Sequence, residues 1–293
     1  MFQGEFSALG AAALWALATI LYGRLGKNLS PLVLNLLKGL IALGLLLLTL
    51  ALTTGQLLPT LSPGAVMLLG ASGAVGIGLG DTAYFGAVNA LGARRALLLE
   101  MLAPPLSALM ALAFLQEYLS GVAWLGIVLT LAGVAWVISE RSPAAGGAVS
   151  ARGVGLGLLA ALGQSAGAVL SRAALADTAV DPLGSSAVRL AAGLVCISGL
   201  LVARGHTPQR VVAQVSPRLL AGVAIAAFFG TYLAIWLQQT ALKFAPAGIA
   251  QALLATSPIM VLPMALALGD RVTLRAAVGA AVALAGVWLL FIR

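Results

Sequence analysis

The stretch Ala90–Val134 reads ALGARRALLLEMLAPPLSALMALAFLQEYLSGVAWLGIVLTLAGV, and a second stretch near the C-terminus follows the same plan. A proline interrupts one apolar run, an acid ends it, and two glycines seven residues apart lie in the next run. At a shift of 153 residues the matched pairs are Pro105 and Pro258, Glu117 and Asp270, Gly126 and Gly279, and Gly133 and Gly286. The order of these matches predicts that the chain contains two copies of one unit.

The composition predicts a polytopic membrane protein whose surroundings are a lipid bilayer. Of the 293 residues, 61% are hydrophobic and only 8% are charged, and the mean hydropathy is +1.09. Soluble domains carry about a quarter of charged residues. Because a membrane-spanning helix needs roughly 20 mainly apolar residues, this length allows about ten spans and no separate soluble domain.

Several classes of site are not expected. The net charge is +8, but the basic residues stand singly between apolar runs, which fits the anionic cytoplasmic leaflet and not a nucleic-acid surface. The single cysteine, Cys196, excludes a disulfide framework and a thiolate metal site, and we expect no cofactor. The apolar N-terminus lacks a basic segment before it, so it reads as a first membrane helix and not as a cleaved signal.

Apolar runs predict ten helices arranged as two inverted repeats of five helices around a central cavity. The predicted helices are 6–23, 32–53, 64–86, 95–115, 119–139, 153–173, 182–203, 219–241, 246–268 and 272–291. The first repeat spans 1–139, a Ser/Pro/Ala/Gly-rich linker spans 140–152, and the second repeat spans 153–293. Since five is odd, fused copies enter the membrane in opposite orientations.

The distribution of positive charge predicts the topology, because Lys and Arg prefer cytoplasmic loops. Lys243 and Arg293 fall on the opposite side, together with several acids. We therefore expect both termini to be periplasmic, and the arginine- and alanine-rich composition suggests a bacterial inner membrane. The eleven residues on the predicted cytoplasmic side are Arg24, Lys27, Arg94, Arg95, Arg141, Arg152, Arg204, Arg210, Arg218, Arg271 and Arg275.

Small residues and prolines mark candidate hinges. Glycines spaced by four residues let helices approach closely, and proline breaks or kinks a helix. Interruptions at matching positions of two repeats point to a binding site near the membrane midplane. The predicted hinge residues are Gly76, Gly80, Pro104, Pro105, Gly163, Gly167 and Pro258, although tight helix packing remains the alternative for the glycines.

Polar and aromatic residues at helical spacing predict the lining of the cavity. Helix eight carries Tyr232, Trp236 and Gln239 on one face, and helix one carries Trp15, Thr19 and Tyr22 at the same spacing. Such stripes place the cavity between helices one, three, four, six, eight and nine, with five and ten peripheral. Membrane-interface positions or core packing are the alternatives for the aromatics. The predicted substrate-binding residues are Trp15, Tyr84, Gln164, Tyr232, Trp236, Gln239 and Gln251.

Inside predicted spans we single out the charged residues Lys38, Asp81, Glu100 and Arg189, because an unpaired ion there costs at least about 2.5 kcal/mol. Lys38 and Glu100 share a depth, which predicts an ion pair between them. Asp81 is expected to join that pair or to bind Arg94, and any of these acids is a candidate for proton coupling. Arg189 has three alternatives: reaching outward to water, pairing with Asp177 or Asp181, or binding a substrate carboxylate.

The duplicated E/D-x8-G-x6-G series, the proline in each fourth helix and the basic residues Lys38 and Arg189, matched at a shift of 151, resemble the drug/metabolite transporter superfamily. The resemblance is to its EamA-type ten-helix exporters, most of all to the amino acid exporters of the YddG kind. It implies export of amino acids, aromatic and apolar ones included, by alternating access. Lys38 departs from the arginine common in that family, which leaves its role open.

Three other functions are alternatives to amino acid export. A multidrug or other metabolite carrier of the same fold is the alternative within the resemblance. An intramembrane enzyme acting on lipids is disfavoured, because the only histidine, His206, lies in a predicted loop and the sequence has no HExxH motif. A channel is disfavoured because no helix carries a row of like charges. We expect a monomeric, non-enzymatic transporter of a small molecule, in which Tyr232→Ala or Trp236→Ala abolishes or reshapes transport.

Overall fold

A computed structural model describes residues 2–25, 31–138, 150–203, 205, 216–267 and 273–292 of the chain. Helices make up nearly all of these residues, and no strand occurs among them. Their bounds are α1 Gln3–Leu25, α2 Pro31–Thr54, α3 Pro63–Leu91, α4 Ala93–Glu100 and Ala103–Leu115, α5 Gly121–Ile138, α6 Ala151–Leu175, α7 Pro182–Ala203, α8 Pro217–Phe244, α9 Ala247–Leu254 and Ser257–Ala267, and α10 Leu274–Phe291. The predicted ten-helix membrane fold is confirmed; in the described residues, each of these helices except α1 gives a candidate span.

The predicted interruptions of the fourth and ninth helices are present. In α4 the break falls at Met101 and Leu102, and in α9 it falls at Ala255 and Thr256. The second piece of each helix begins immediately before a proline, Pro104 in α4 and Pro258 in α9. Because proline fits the first turn of a helix but lacks the N–H that the interior requires, both helices restart there.

A second pair of interruptions lies in α3 and α8. Residues Gly73–Gly80 of α3 and Phe228–Leu233 of α8 form π-helical turns. They occupy corresponding positions of the two repeats, and such turns often accompany functional sites. The glycine-rich sequence of α3 indicated an irregular helix, whereas Phe228–Leu233 has one glycine and was predicted to be regular.

The paired glycines of α5 and α10 lie at one helix crossing. A Cβ atom added to Gly133 would lie 2.5 Å from the carbonyl oxygen of Gly279, and one added to Gly126 would lie 3.0 Å from that of Gly286. Each glycine of the first repeat thus faces the other glycine of the second, as an approximate twofold axis requires. The duplicated motif is therefore one of the contacts between the repeats.

The glycines of α3 and α6 form a second close crossing. A Cβ added to Gly167 would lie 3.0 Å from the Cα of Gly76, and one added to Gly163 would lie 3.0 Å from the Cα of Gly80. In this structure these four residues, which were predicted as hinges, therefore allow close packing of α3 and α6. That is the alternative given for the glycines. A hinge role at the same positions stays a prediction.

The two ends of the helix bundle differ in packing. The termini end, which holds Gln3, Leu115, Leu175, Phe244 and Phe291, contains a core of small residues from α1, α4, α6, α8 and α9. At that end a Cβ on Gly4 would lie 2.7 Å from the backbone nitrogen of Ala245. The linker end is opposite, where α5 ends at Ile138 and α6 begins at Ala151. Besides this core, a second pocket of about 420 Å³ lies at the termini end, where α3 begins and α6 ends.

Candidate substrate-binding cavity

A cavity of about 450 Å³ extends from the middle of the bundle toward the linker end. Its volume and mostly apolar wall are typical of small-molecule sites. The wall comes from α1, α4, α5, α6, α8 and α9. Its residues are Trp15, Leu97, Glu100, Met101, Ala103, Pro104, Val134, Val137, Ile138, Gln164, Gln238, Gln251, Leu254, Ala255, Ser257, Pro258 and Val261.

The breaks in α4 and α9 form part of this wall. Glu100, Met101 and Pro104 surround the break in α4, and Leu254, Ala255, Ser257 and Pro258 surround the break in α9. Residues next to a helix interruption have backbone groups outside the regular hydrogen-bond ladder. The interrupted parts of both repeats therefore meet at one cavity, as expected for a site near the membrane midplane.

Trp15 lies on the wall at the middle of α1. Its indole Nε1 donates a hydrogen bond of 3.0 Å to the carbonyl oxygen of Gly230, which belongs to the π-helical turn of α8. The structure thus gives a polar partner to an aromatic residue that the sequence placed too deep for the membrane interface. The ring presents an apolar and aromatic surface to whatever enters.

Gln164 connects the cavity to a charged cluster behind it. Its Nε2 donates to Oδ1 of Asp81 at 3.4 Å, and Nδ2 of Asn35 donates to the other carboxylate oxygen at 3.5 Å. Lys38 and Arg189 both act electrostatically on Asp81. Asp81 therefore lies within electrostatic reach of both Lys38 and Arg189.

Arg189 is buried, and it neither reaches outward to water nor pairs with Asp177 or Asp181; binding of a substrate carboxylate stays a prediction. Only 2% of its surface is exposed, and its Nη1 donates to the amide oxygens of Gln238 at 2.9 Å and Gln239 at 3.3 Å. Asp181 instead accepts a hydrogen bond from the backbone of Gly184 at the start of α7. The α3–α7 contact explains this outcome, since a Cβ on Gly76 would lie 3.2 Å from Arg189 Nη2.

The predicted ion pair between Lys38 and Glu100 is wrong. Although the two residues share a depth, α2 packs against α7 and α8, whereas the first piece of α4 packs against α3, α5 and α6. The charge that acts on Lys38 is Asp81. In the described part of the chain, Glu100 has neither a hydrogen bond nor an ion pair, and it faces the cavity.

Four predicted substrate-binding residues lie outside the cavity. Tyr232 is buried, and its hydroxyl lies 2.7 Å from Oγ1 of Thr49. Trp236 packs beside it, with ring centroids 6.2 Å apart. Gln239 is fully buried and its Nε2 donates to Ser171 and Ser185, while Tyr84 lies against Phe85. In this structure Tyr232 joins α8 to α2, and Gln239 joins α8 to α6 and α7.

The sequence missed Gln238 and the contribution of α5. Gln238 was passed over for its neighbour because a regular helix carries the stripe of Tyr232 and Trp236 on to Gln239. The π-helical turn adds a residue to the turn, so the expected register does not hold in α8. Val134, Val137 and Ile138 of α5 are apolar, so no polar signal could separate a cavity wall from a lipid-facing surface.

A polar cluster lies at the termini end, and the sequence did not predict it. The guanidinium of Arg172 donates to Glu117 through Nε and to the carbonyl oxygens of Leu242 and Lys243 through Nη1. Glu117 also accepts the backbone N–H of Ala247 at the start of α9. We call Glu117 and Arg172 the latch. The two charges come from different repeats, which is why local spacing did not reveal them.

Some predicted features lie outside the described residues. These are residues 140–149 of the linker, Asp270, the side chains of Thr19, Tyr22 and Arg94, and most of the basic loops. Among the described side chains, no three His, Cys, Asp or Glu residues come close enough to hold a metal ion.

The sequence pattern of the EamA-like transporter family matches this chain twice, over residues 2–139 and 151–292. A crystal structure of a protein with 17% sequence identity superposes with a TM-score of 0.80 and covers 99% of this chain and 97% of its own. At that identity the likeness concerns the fold alone. No curated protein matches the chain.

Proposed function

We propose that this chain, which belongs to the EamA-like transporter family, is a secondary transporter that exports small apolar or aromatic amino acids by alternating access. The observation that carries the proposal is the asymmetry of the bundle. A cavity lined by both repeats extends toward the linker end, while the latch and a core of small residues close the termini end. A binding site reached from one end at a time is what alternating access requires.

The interruptions supply the parts that could move. The breaks in α4 and α9 and the π-helical turns in α3 and α8 occur at matching positions of the repeats, and both breaks border the cavity. A helix divided in this way bends at the break with little loss of regular hydrogen bonds. Pro104, Pro105 and Pro258 are therefore proposed as pivots, with the glycine crossings as the surfaces that slide.

The wall of the cavity suits a zwitterion with an apolar side chain. Because a guanidinium only donates, the oxygen of Gln238 must face Arg189, which leaves the NH₂ group of Gln238 as a donor. Gln164 uses its NH₂ on Asp81, so its oxygen remains an acceptor. Together with the Glu100 carboxylate, the wall offers groups for both an ammonium and a carboxylate on a largely apolar surface.

In the proposed topology the cavity opens to one side of the membrane. If the arginine-rich linker end is cytoplasmic, the positive-inside rule places the cavity opening in the cytoplasm and both termini in the periplasm of a bacterial inner membrane. The structure then corresponds to a loading state for an exporter. Export by the YddG kind of carrier and a monomeric state belong to this proposal.

A carrier of cationic drugs with the same fold is the second candidate. The apolar wall with one carboxylate favours it, since drug-binding surfaces are mostly apolar with few polar anchors. The two candidates differ in the need for a carboxylate on the substrate. An amino acid uses the amide donors of the wall, whereas a drug cation leaves them idle.

The proposal is tested by counterflow in proteoliposomes. Vesicles holding the purified full-length chain are loaded with millimolar unlabelled phenylalanine, leucine or a cationic dye, and uptake of the labelled compound is followed without an ion gradient. A carrier for amino acids gives transient accumulation with the amino acids, in contrast to vesicles without protein. Accumulation of the dye alone supports the second candidate, and equilibration without accumulation indicates a channel.

A further inference from the structure

We infer that Glu100 binds the protonated amine of the substrate, and therefore that the transported molecules are small organic amines with an apolar body, amino acids included. The inference rests on the proposed function, because it assigns a chemical class to the same cavity. It goes further by naming the group on the substrate that is recognised and the side chain that recognises it.

Glu100 is a carboxylate on the cavity wall without a partner. Among the described residues it makes no hydrogen bond and no ion pair. Acids inside a membrane protein are normally paired or functional, because an isolated charge in an apolar medium is costly. A cation that enters the cavity would remove that cost, and so an ammonium group gains more here than a neutral group does.

The nearby cations interact with other groups and not with Glu100. Lys38 and Arg189 act on Asp81, and Arg172 is held by Glu117 at the termini end. No described Lys or Arg side chain lines the cavity. A substrate with a carboxylate and no amine would thus meet Glu100 without a compensating cation, which disfavours it.

Two neutral groups near Glu100 also suit an ammonium. Gln164 offers an acceptor oxygen on the same wall, and Trp15 offers an aromatic face that attracts cations. These groups together favour an ammonium over an anion.

The site is single although the fold is duplicated. The position equivalent to Glu100 in the second repeat is Leu253, which is fully buried. Glu100 is also the last residue of the first piece of α4, directly before the break. A ligand held there touches the interrupted helix at its pivot, which gives binding a means to act on the conformation.

The experiment measures binding to the purified full-length chain in detergent by isothermal titration. Three compounds share a benzyl group: phenylalanine has an amine and a carboxylate, phenethylamine has only the amine, and 3-phenylpropionate has only the carboxylate. The isobutyl series of leucine, isopentylamine and 4-methylpentanoate is measured in parallel. The variants are Glu100→Gln, Glu100→Asp and, as a matched control, Asp177→Asn at an exposed acid of the termini end.

We expect both amine-bearing compounds of at least one series to bind the wild type, and the carboxylate-only compound to bind roughly tenfold more weakly or not at all. Glu100→Gln should weaken the amines roughly tenfold or more, Glu100→Asp should retain part of the affinity, and Asp177→Asn should retain all of it. Equal affinity of the wild type and Glu100→Gln for the amines overturns the inference. Tight binding of the carboxylate-only compounds does so too.

Failure of the inference and failure of the proposed function are separable. If phenylalanine or leucine shows counterflow while Glu100→Gln leaves the affinity for the amines unchanged, the chain is a carrier and Glu100 is not an amine site. If phenylalanine, leucine and the dye all fail in counterflow while the amines bind through Glu100, the amine site stands and the amino acid and drug carrier proposals both fall.

Discussion

Arg172, at the end of α6, donates a hydrogen bond through Nε to the carboxylate of Glu117, between α4 and α5, and so joins the two repeats at the termini end. Both side chains are largely shielded, with exposed fractions of 14% and 15%. Hydrogen bonds to charged groups contribute more than neutral ones. The latch is therefore expected to stabilise the state in which the cavity faces the linker end.

A double-mutant cycle tests the latch. Glu117→Gln and Arg172→Ala should each lower the free energy of unfolding in mixed SDS micelles, and the two losses should overlap by about 1–3 kcal/mol. Asp177→Asn, an exposed acid at the same end, serves as the control and should change little. Fully additive losses would show that the two residues stabilise the protein independently.

The crossing of α5 and α10 should not tolerate even a methyl group. A Cβ at Gly133 would lie 2.4 Å from the backbone nitrogen of Ala283, and backbone cannot yield as a flexible side chain can. Gly133→Ala should therefore destabilise the protein by about 1–3 kcal/mol, measured in the same unfolding assay. In the same helix, Gly121→Ala meets no atom within 4 Å and should be neutral. Equal stability of the two variants is the contrary result.

Removing Arg189 should cost more than removing a surface arginine. Arg189→Met leaves Gln238, Gln239 and Asp81 without their buried partner, for which we expect a loss of about 3–5 kcal/mol. Adding Asp81→Asn should deepen the loss, because Lys38 then loses the acid that faces it. Arg218→Met, at an exposed position, should change thermal stability little; a similar fall in both single variants contradicts the assignment.

Substitutions of Trp15 distinguish the contribution of its hydrogen bond from the contribution of its ring to the cavity wall. Trp15→Phe removes the donor to Gly230 but keeps an aromatic ring, so it should cost about 0.5–1.5 kcal/mol of stability with affinity for phenylalanine within a few-fold. Trp15→Ala also removes the wall and should weaken binding at least about tenfold. Trp288→Phe, on an exposed face of α10, is the control. Unchanged affinity in Trp15→Ala would place the ligand elsewhere.

The sequence predicted the parts of the fold that depend on local sequence or on the duplicated motif. Apolar runs of about 20 residues located the helices, and Pro105 with Pro258 located the two interrupted ones. The paired glycines at Gly126, Gly133, Gly279 and Gly286 indicated close packing and a repeat. These signals depend on helix length and on steric limits of single residues, and neither needs knowledge of the neighbouring helices.

The site was predicted only in part, because its geometry depends on contacts between distant helices. Trp15, Glu100, Gln164 and Gln251 were named from the sequence and lie on the wall. A charge's partner, however, depends on which helices are neighbours, and depth alone wrongly paired Lys38 with Glu100. The register of α8 after its π-helical turn places Gln238, and not Gln239, on the cavity wall. No residue pattern in that segment predicts the turn.

A cysteine on the cavity wall tests most directly whether the cavity is reached from one end at a time. Ser257→Cys lines the cavity, and Cys196→Ser removes the only native thiol. The modification rate by a membrane-impermeant thiol reagent is measured from each side of oriented vesicles. We predict modification from the linker side, with Arg172→Ala shifting access toward the termini side. Equal rates from both sides, unchanged by Arg172→Ala, would contradict the account.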